Sequence, residues 1–285
     1  MRVLVTGAEG QLGHDVVEIL KQHDIDYFGA DKHNMDITDA SMVNKVFEAY
    51  KPHVVVHCAA YTAVDLAETQ KEICYDINVL GTRNLAESCR QFGAKMVYIS
   101  TDYIFNGMGE TPFQADDQPD PVNYYGETKY QGELEVRKAL SEHFILRISW
   151  VFGNHGNNFV KTMMRLGSTR DELSVVSDQV GSPTYTPDVA RMILSMIRSE
   201  KYGTYQMTNK GYCSWAEFAS TIFEKAGIPC QVKPILTADY PTAAKRPLNS
   251  RMETAKTFEV FGLVQRDWQA ALDEYLQIAA EKSEQ

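Results

Sequence analysis

Tyr125-Gly126-Glu127-Thr128-Lys129 sets a phenol and an ammonium four residues apart, a spacing that puts both on one face of a helix. A free tyrosine has a pKa of about 10, too high to pass protons readily near neutrality. A neighbouring cation stabilises the phenolate and moves that value toward the working range. Tyr–Lys pairs are also common on solvated helices, so the spacing alone decides little. A second group adds weight. Ser100-Thr101-Asp102-Tyr103 follows the apolar run Met96–Ile99, and a hydroxyl at a strand end can hydrogen-bond a carbonyl and steady it for attack. Side-chain alternation lets only one of Ser100 and Thr101 face a crevice, and Thr101 is favoured.

What such a group would act with is written at the start of the chain. Thr6-Gly7-Ala8-Glu9-Gly10-Gln11-Leu12-Gly13 follows the first apolar run and opens the first amphipathic stretch, the context that separates a dinucleotide loop from a chance glycine cluster. Gly7 permits the tight turn, Gly10 lets the main chain approach a pyrophosphate, and Gly13 allows close helix–strand packing. Free amides at the helix start would hold the anionic bridge. Asp31 ends the second strand, where an acid can accept from the adenosine ribose hydroxyls, although alone it is as readily a turn residue. Lys32 and His33 follow and can offset its repulsion of a 2′-phosphate, so NADPH is expected, with NADH tolerated. Asp36-Ile37 can edge the adenine, or Asp36 can simply start a turn. Ala59-Ala60-Tyr61-Thr62 closes the third strand with the small side chains that a nucleotide lying across a sheet requires, which packing economy explains nearly as well.

These groups need a scaffold, and the hydrophobic pattern supplies one. Strand-like runs at 3–6, 27–30, 54–58, 96–100 and 144–150 alternate with helical patterns at 12–22, 41–50, 73–92 and 125–140. Several runs are apolar on consecutive residues, as in parallel strands covered on both faces. The expectation is an α/β fold, a doubly wound parallel sheet of Rossmann type. After residue 153 the rhythm changes, with helices expected at 159–166, 187–198, 215–226 and 266–278. The predicted division is residues 1–150 for a dinucleotide-binding domain and 151–285 for a smaller α/β substrate lobe, some segments returning to the first. Segment 106–123, rich in Pro, Asp and Gly, and segment 238–250 are expected to be mobile.

Composition narrows the classes. A net charge of −10 over 285 residues argues against a general nucleic-acid binder, because phosphate is repelled from most of such a surface. Cys58, Cys74, Cys89, Cys213 and Cys230 are scattered without Cys-x-x-Cys spacing and read as reduced thiols. No apolar run approaches membrane-spanning length, and the chain opens on a strand rather than a signal peptide. The expectation is a cytoplasmic protein without a membrane partner, monomeric or homodimeric, and with no metal site.

The Thr-Gly-x-x-Gly-x-x-Gly start, the strand-end hydroxyl and Tyr-x-x-x-Lys together resemble the extended short-chain dehydrogenase/reductase superfamily. Within it, Gly10-Gln11-Leu12-Gly13, Ala59 to Asp65, Ser100 to Phe105, Asn123 to Gly126, Arg147 to Val151, Asn157 to Met163, Asp178 to Thr184 and Arg246 to Ser250 resemble the dTDP-4-dehydrorhamnose reductase family. The resemblance spans nearly the whole chain. It implies reduction of the 4-keto group of dTDP-4-dehydro-6-deoxy-L-mannose to dTDP-L-rhamnose, with Thr101, Tyr125 and Lys129 catalytic. Tyr125 would protonate the oxygen at sugar C4, and Lys129 would also hold the nicotinamide ribose. Thr62, Val64, Asp102, Tyr103 and Trp150 would touch the dTDP-sugar, although Trp150 is equally a strand-end core residue. Arg246, in a Pro-flanked stretch, would meet the diphosphate, since an Arg fork suits phosphate oxygens; its plainer alternative is a surface salt bridge. Some family members are described as metal-linked dimers through acidic residues. Here Asp15 and Asp188 stand in those neighbourhoods, and their shorter reach argues against that bridge.

Two other readings compete. Dehydratases of the superfamily place a Glu after the Thr-Asp pair, where this chain has Tyr103, so the acid/base that elimination needs is missing; an epimerase stays open. A non-catalytic subunit, such as the regulatory subunit of methionine adenosyltransferase that this branch resembles, is disfavoured by the intact Thr101/Tyr125/Lys129 set.

Overall fold

The computed structural model describes residues 1–283. The first half runs β1 (Arg2–Thr6), α1 (Gln11–Gln22), β2 (Asp26–Ala30), α2 (Ala40–Tyr50) and β3 (Val54–His57). Two short helices follow, α3 (Val64–Ala67) and α4 (Lys71–Tyr75), and a wide-turned π segment over Asp76–Gly81 leads into α5 (Thr82–Phe92). Then come β4 (Lys95–Thr101), α6 (Tyr124–Ala139) and β5 (His143–Ile148). The second half holds β6 (Val151–Phe152), α7 (Phe159–Gly167), β7 (Glu172–Val176), β8 (Val180–Gly181), β9 (Thr184–Tyr185), α8 (Thr186–Ile197), β10 (Gly203–Gln206), β11 (Cys213–Ser214), α9 (Trp215–Ala226), β12 (Gln231–Ile235), α10 (Ala255–Phe261) and α11 (Trp268–Ser283).

One six-stranded parallel sheet, in the order β10-β5-β4-β3-β1-β2, forms the frame. Its consecutive apolar residues divide by parity. Val3, Val5, Val54, Val56, Phe144 and Leu146 enter one core with Leu12, Val16 and Leu20 of α1 and with Val189, Ile193 and Met196 of α8. Leu4, Val55, Met96 and Ile145 enter another, against Phe47, Leu85 and Val136 from α2, α5 and α6. The two-residue alternation of a strand thus feeds both faces. A third core belongs to the second half, where Phe152, Leu173, Tyr185, Phe218, Ile222, Trp268 and Leu272 pack together.

The chain does not stay in the second lobe after residue 150. Helix α8 returns to cover α1, and β10 adds the sixth strand beside β5, the kind of return the sequence left open. Helix α10 was not expected; its Phe258 joins the first core and Phe261 meets Phe144 and Tyr205. The two stretches expected to be mobile are sewn together: Asn249 donates from its backbone to Gly107 O at 3.0 Å and from Nδ2 to Thr111 O at 2.9 Å, and Asn123 Nδ2 donates to Lys245 O at 2.9 Å. Among the described residues no helix is long and apolar enough to cross a membrane.

Candidate active site

The carboxyl ends of β1, β3, β4 and β5 open onto one cleft of about 530 Å³, where a doubly wound sheet presents its loops. On one side lies the glycine loop. Gly7 has φ +64°, and a Cβ there would sit 2.8 Å from Ala59 N; one at Gly13 would sit 2.0 Å from Gly7 O. Both contacts are with backbone, so neither position accepts a side chain. Gly10 N donates to Gly7 O at 2.9 Å. Gly10 also caps α1 without any side-chain bond to its first amides, which leaves those donors for a ligand. Second-lobe residues reach over this loop: Asn158 Nδ2 donates to Gln11 Oε1 at 3.1 Å, and His155 Nε2 lies 2.9 Å from Glu9 O.

The cleft brings together Gly7, Gly10, Gln11, Leu12, Gly13, Ala59, Ala60, Thr62, Val64, Thr101, Asp102, Tyr103, Tyr125, Lys129 and Trp150. It does not gather Asp31, Asp36, Ile37, Tyr61 or Arg246. Asp31 Oδ1 accepts from the amides of His33 (2.6 Å) and Asn34 (3.2 Å), and Asp36 Oδ1 accepts from the amide and hydroxyl of Thr38. Both carboxylates therefore organise the turns they stand in, while Ile37 is buried against Gly81. Tyr61 hydrogen-bonds through its amide to Asn78 Oδ1 at 2.8 Å and through its phenol to Gln70 Oε1.

The register of β4 separates the two hydroxyls. Ser100 Oγ turns away and donates to Glu133 Oε1 at 2.6 Å. Thr101 Oγ1 donates to Asp102 Oδ1 at 3.0 Å and accepts from Tyr103 N at 3.2 Å, and it lines the same cleft as the Tyr125 phenol. Asn123 starts α6 by accepting Gly126 N at 2.8 Å. Gly126 is obligatory because a Cβ would lie 2.1 Å from Tyr103 O. This close approach sets Tyr125 beside Tyr103, ring centroids 5.6 Å apart and edge to face.

Electrostatics depart from the expectation drawn from spacing. Burial, with the Asp102 carboxylate behind it, pushes the Tyr125 phenol up rather than down, against the smaller opposing effect of the Thr101 hydroxyl. Lys129 is buried with Nζ 4.1 Å from the centre of the Tyr98 ring, and burial brings it down to about 7 against the opposing Glu133 charge. Desolvation is the largest influence on both groups. Asp102 is pushed up to about 6 by burial, with bonds from Ser250 and Thr101 working the other way, and its Oδ2 is buried without a partner.

Trp150 holds a left-handed backbone (φ +47°), uncommon for a bulky residue, and stacks on Trp215 with centroids 3.6 Å apart. Trp215 lines a second cavity of about 710 Å³ with Asp65, Tyr240 and Arg246. Arg246 Nη2 donates to Asp65 Oδ2 at 2.6 Å, its guanidinium stands 6.0 Å from the Tyr103 ring, and its Nη1 is buried with no partner. Sequence reasoning missed Asp65 and Glu133. Asp65 ends a motif already singled out, and Glu133 continues the Tyr125–Lys129 spacing by one more turn, a signal too common on helices to read alone.

Comparison with known proteins adds ancestry to geometry. The family model described as RmlD substrate binding domain matches residues 1–281. The chain is 42% identical to the spore coat polysaccharide biosynthesis protein SpsK of Bacillus subtilis, over 97% of each. It is 39% identical to a dTDP-4-dehydrorhamnose reductase of Aggregatibacter actinomycetemcomitans, over 95% of this chain and 97% of that one. The crystal structure of dTDP-4-dehydrorhamnose reductase from Bacillus anthracis in complex with NADP superposes with a TM-score of 0.93 at 44% identity, covering 96% of this chain and 98% of that one. Matched at these levels from end to end, the chain belongs to the RmlD substrate binding domain family, that of the dTDP-4-dehydrorhamnose reductases.

Proposed function

We propose that this chain is an NADPH-dependent reductase acting on the 4-keto group of dTDP-4-dehydro-6-deoxy-L-mannose and yielding dTDP-L-rhamnose. The observation that carries the reading is the meeting of the glycine loop with Thr101, Tyr125 and Lys129 in one cleft. Gly7, Gly10 and Gly13 fit a dinucleotide, since backbone fills the places side chains would take at Gly7 and Gly13, and Gly10 caps α1 with no side-chain bond to its first amides. The nicotinamide, when bound, supplies the reducing hydride. The residues of the chain manage the proton. Tyr125, kept protonated by burial, gives its proton to the oxygen at sugar C4, and the Thr101 hydroxyl orients that oxygen. Lys129 holds the nicotinamide ribose and lies one turn from the phenol it helps reprotonate.

Thr62, Val64, Asp102, Tyr103 and Trp150 face the sugar, and Arg246 meets the diphosphate from the second cavity. Residues 1–150 serve the cofactor and 151–285 mainly the substrate, with α8 and β10 given back to the first lobe. Tolerance of a 2′-phosphate is supported by Asp31, whose Oδ1 is engaged in its own turn beside exposed Lys32 and His33. Oxidation of NADPH by the purified protein, followed with and without the keto-sugar nucleotide, tests the assignment. Oxidation that needs the sugar nucleotide and yields dTDP-L-rhamnose is expected; none would overturn it.

A further inference from the structure

Glu133 is fully buried and accepts from Ser100 Oγ at 2.6 Å, from Arg147 Nε and Nη2 at 2.8 Å each, and from Arg137 Nη2 at 3.0 Å. Arg147 is itself buried, in register with Ser100 across β4 and β5, and its Nη1 donates to Ala115 O. A buried ion pair adds little stability over an apolar pair of the same shape, so placement is the more telling property of this one. The carboxylate clamps α6 to β4 at the residue immediately before Thr101, and it stands one helical turn beyond Lys129 on the same face.

The other groups facing Lys129 carry no charge near neutrality. Tyr98 lies under the ammonium from β4. Cys58 and Cys74 present thiols that burial pushes up. His57, hydrogen-bonded between Thr6 and Thr82, is brought down to about 3 by burial. Tyr125, one turn earlier on α6, is a protonated phenol. Arg147 and Arg137 stand behind Glu133 as its cationic partners.

We infer that Glu133 is a positioning residue of this site: it fixes the end of β4 against the catalytic helix and is the buried counter-charge of Lys129. The inference rests on the proposed partnership of Lys129 with Tyr125. The test follows the side-chain resonances of Lys129 against pH in the full-length protein labelled with ¹³C-lysine, identified by their loss in Lys129→Met. In Glu133→Gln the titration midpoint falls by about one unit or more, because two arginines then act on Lys129 unopposed. In Arg137→Gln it rises by roughly a few tenths, because part of the neutralising charge is gone. The alkaline limb is the matching kinetic sign: turnover of Glu133→Gln drops about fivefold or more at pH 7 and recovers toward lower pH. A plug that only fills space would move neither midpoint, and unchanged midpoints in both variants overturn the inference. Should Glu133→Gln fail to fold, Arg137→Gln decides, since Arg137 is about one-third exposed and its loss leaves the Arg147 pair intact. Full turnover and cofactor affinity in Lys129→Met would sink the proposed function instead, an outcome separate from either midpoint.

Discussion

Replacing Arg246 with alanine separates the two ligands of the proposed reaction. The guanidinium spends one nitrogen on Asp65 Oδ2 and leaves Nη1 buried and unpartnered beside the larger cavity. A buried donor without an acceptor is costly, and the proposed substrate diphosphate would offer it one. Removing the side chain deletes one charge-assisted hydrogen bond to the sugar nucleotide, worth about 1.5–3 kcal/mol, or roughly ten- to a hundred-fold in affinity. The Asp65 contact adds little to stability, because that carboxylate is 45% exposed and such pairs contribute about 0–1 kcal/mol. The variant should therefore fold. Calorimetric titration of dTDP and of NADPH into the same preparation gives the answer: dTDP weakens by that factor, and NADPH, held at the glycine loop, binds as before. Unchanged dTDP affinity would refute the diphosphate assignment and leave Arg246 as a latch to Asp65. Equal weakening of both ligands would mean that the Asp65–Arg246 contact holds the cofactor lobe in shape, which is equally against it.

Tyr125→Phe should keep the fold and cofactor binding and lower kcat by at least ~100-fold; near-normal turnover in stopped-flow assays would remove Tyr125 from the proton path. Catalytic efficiency with NADPH should exceed that with NADH while NADH still works, and rejection of NADPH in paired kinetics would show that the Asp31 charge dominates. The titration of Lys129 carries a stability signature. Its folded value, about 7, lies below the unfolded one, so between pH 7 and 8.5 the unfolded chain binds more protons and stability rises with pH. Thermal melts should show that rise in the wild type, and Lys129→Met should flatten it. Asp102 has the opposite sense: raised to about 6 by burial, it makes stability fall as pH climbs from 4 to 6, and Asp102→Asn should remove that part of the slope.

Much of this could be read from the chain because local and global preferences agree. The consecutive valines of β1 and β3 are apolar on both faces for a reason visible in the sheet. Helix α9 occupies the residues expected, since Ser214 and Glu217 form a reciprocal cap and Gly227 ends it in a left-handed turn. The glycine loop was legible because each glycine answers a steric demand. What escaped has equally physical causes. Helix α10 is seven residues long and held by two phenylalanines, too little pattern to count. Asp31 and Asp36 each place Oδ1 on amides of their own turns, a use that residue type and position do not distinguish from ligand binding. The direction of the Tyr125 shift depends on how much water the cleft excludes, which no spacing encodes.

The path of α8 and β10 constrains how such a molecule can change. A fragment ending at residue 150 would lack both the edge strand beside β5 and the helix that shields α1, exposing Val16 and Leu20. The chain passes outward at Val151, back at Thr186, outward again after Gln206, and back once more where Met252 and Phe258 dock on the first lobe. Two bodies stitched by several backbone threads can move relative to one another only where all of those threads bend together. Nor can one body be exchanged for another by a single recombination event, because neither is a contiguous stretch of gene. New substrates on this scaffold would have to arise by substitution within the surface segments that rim the crevice, such as 240–248, with the interleaved frame left as it is.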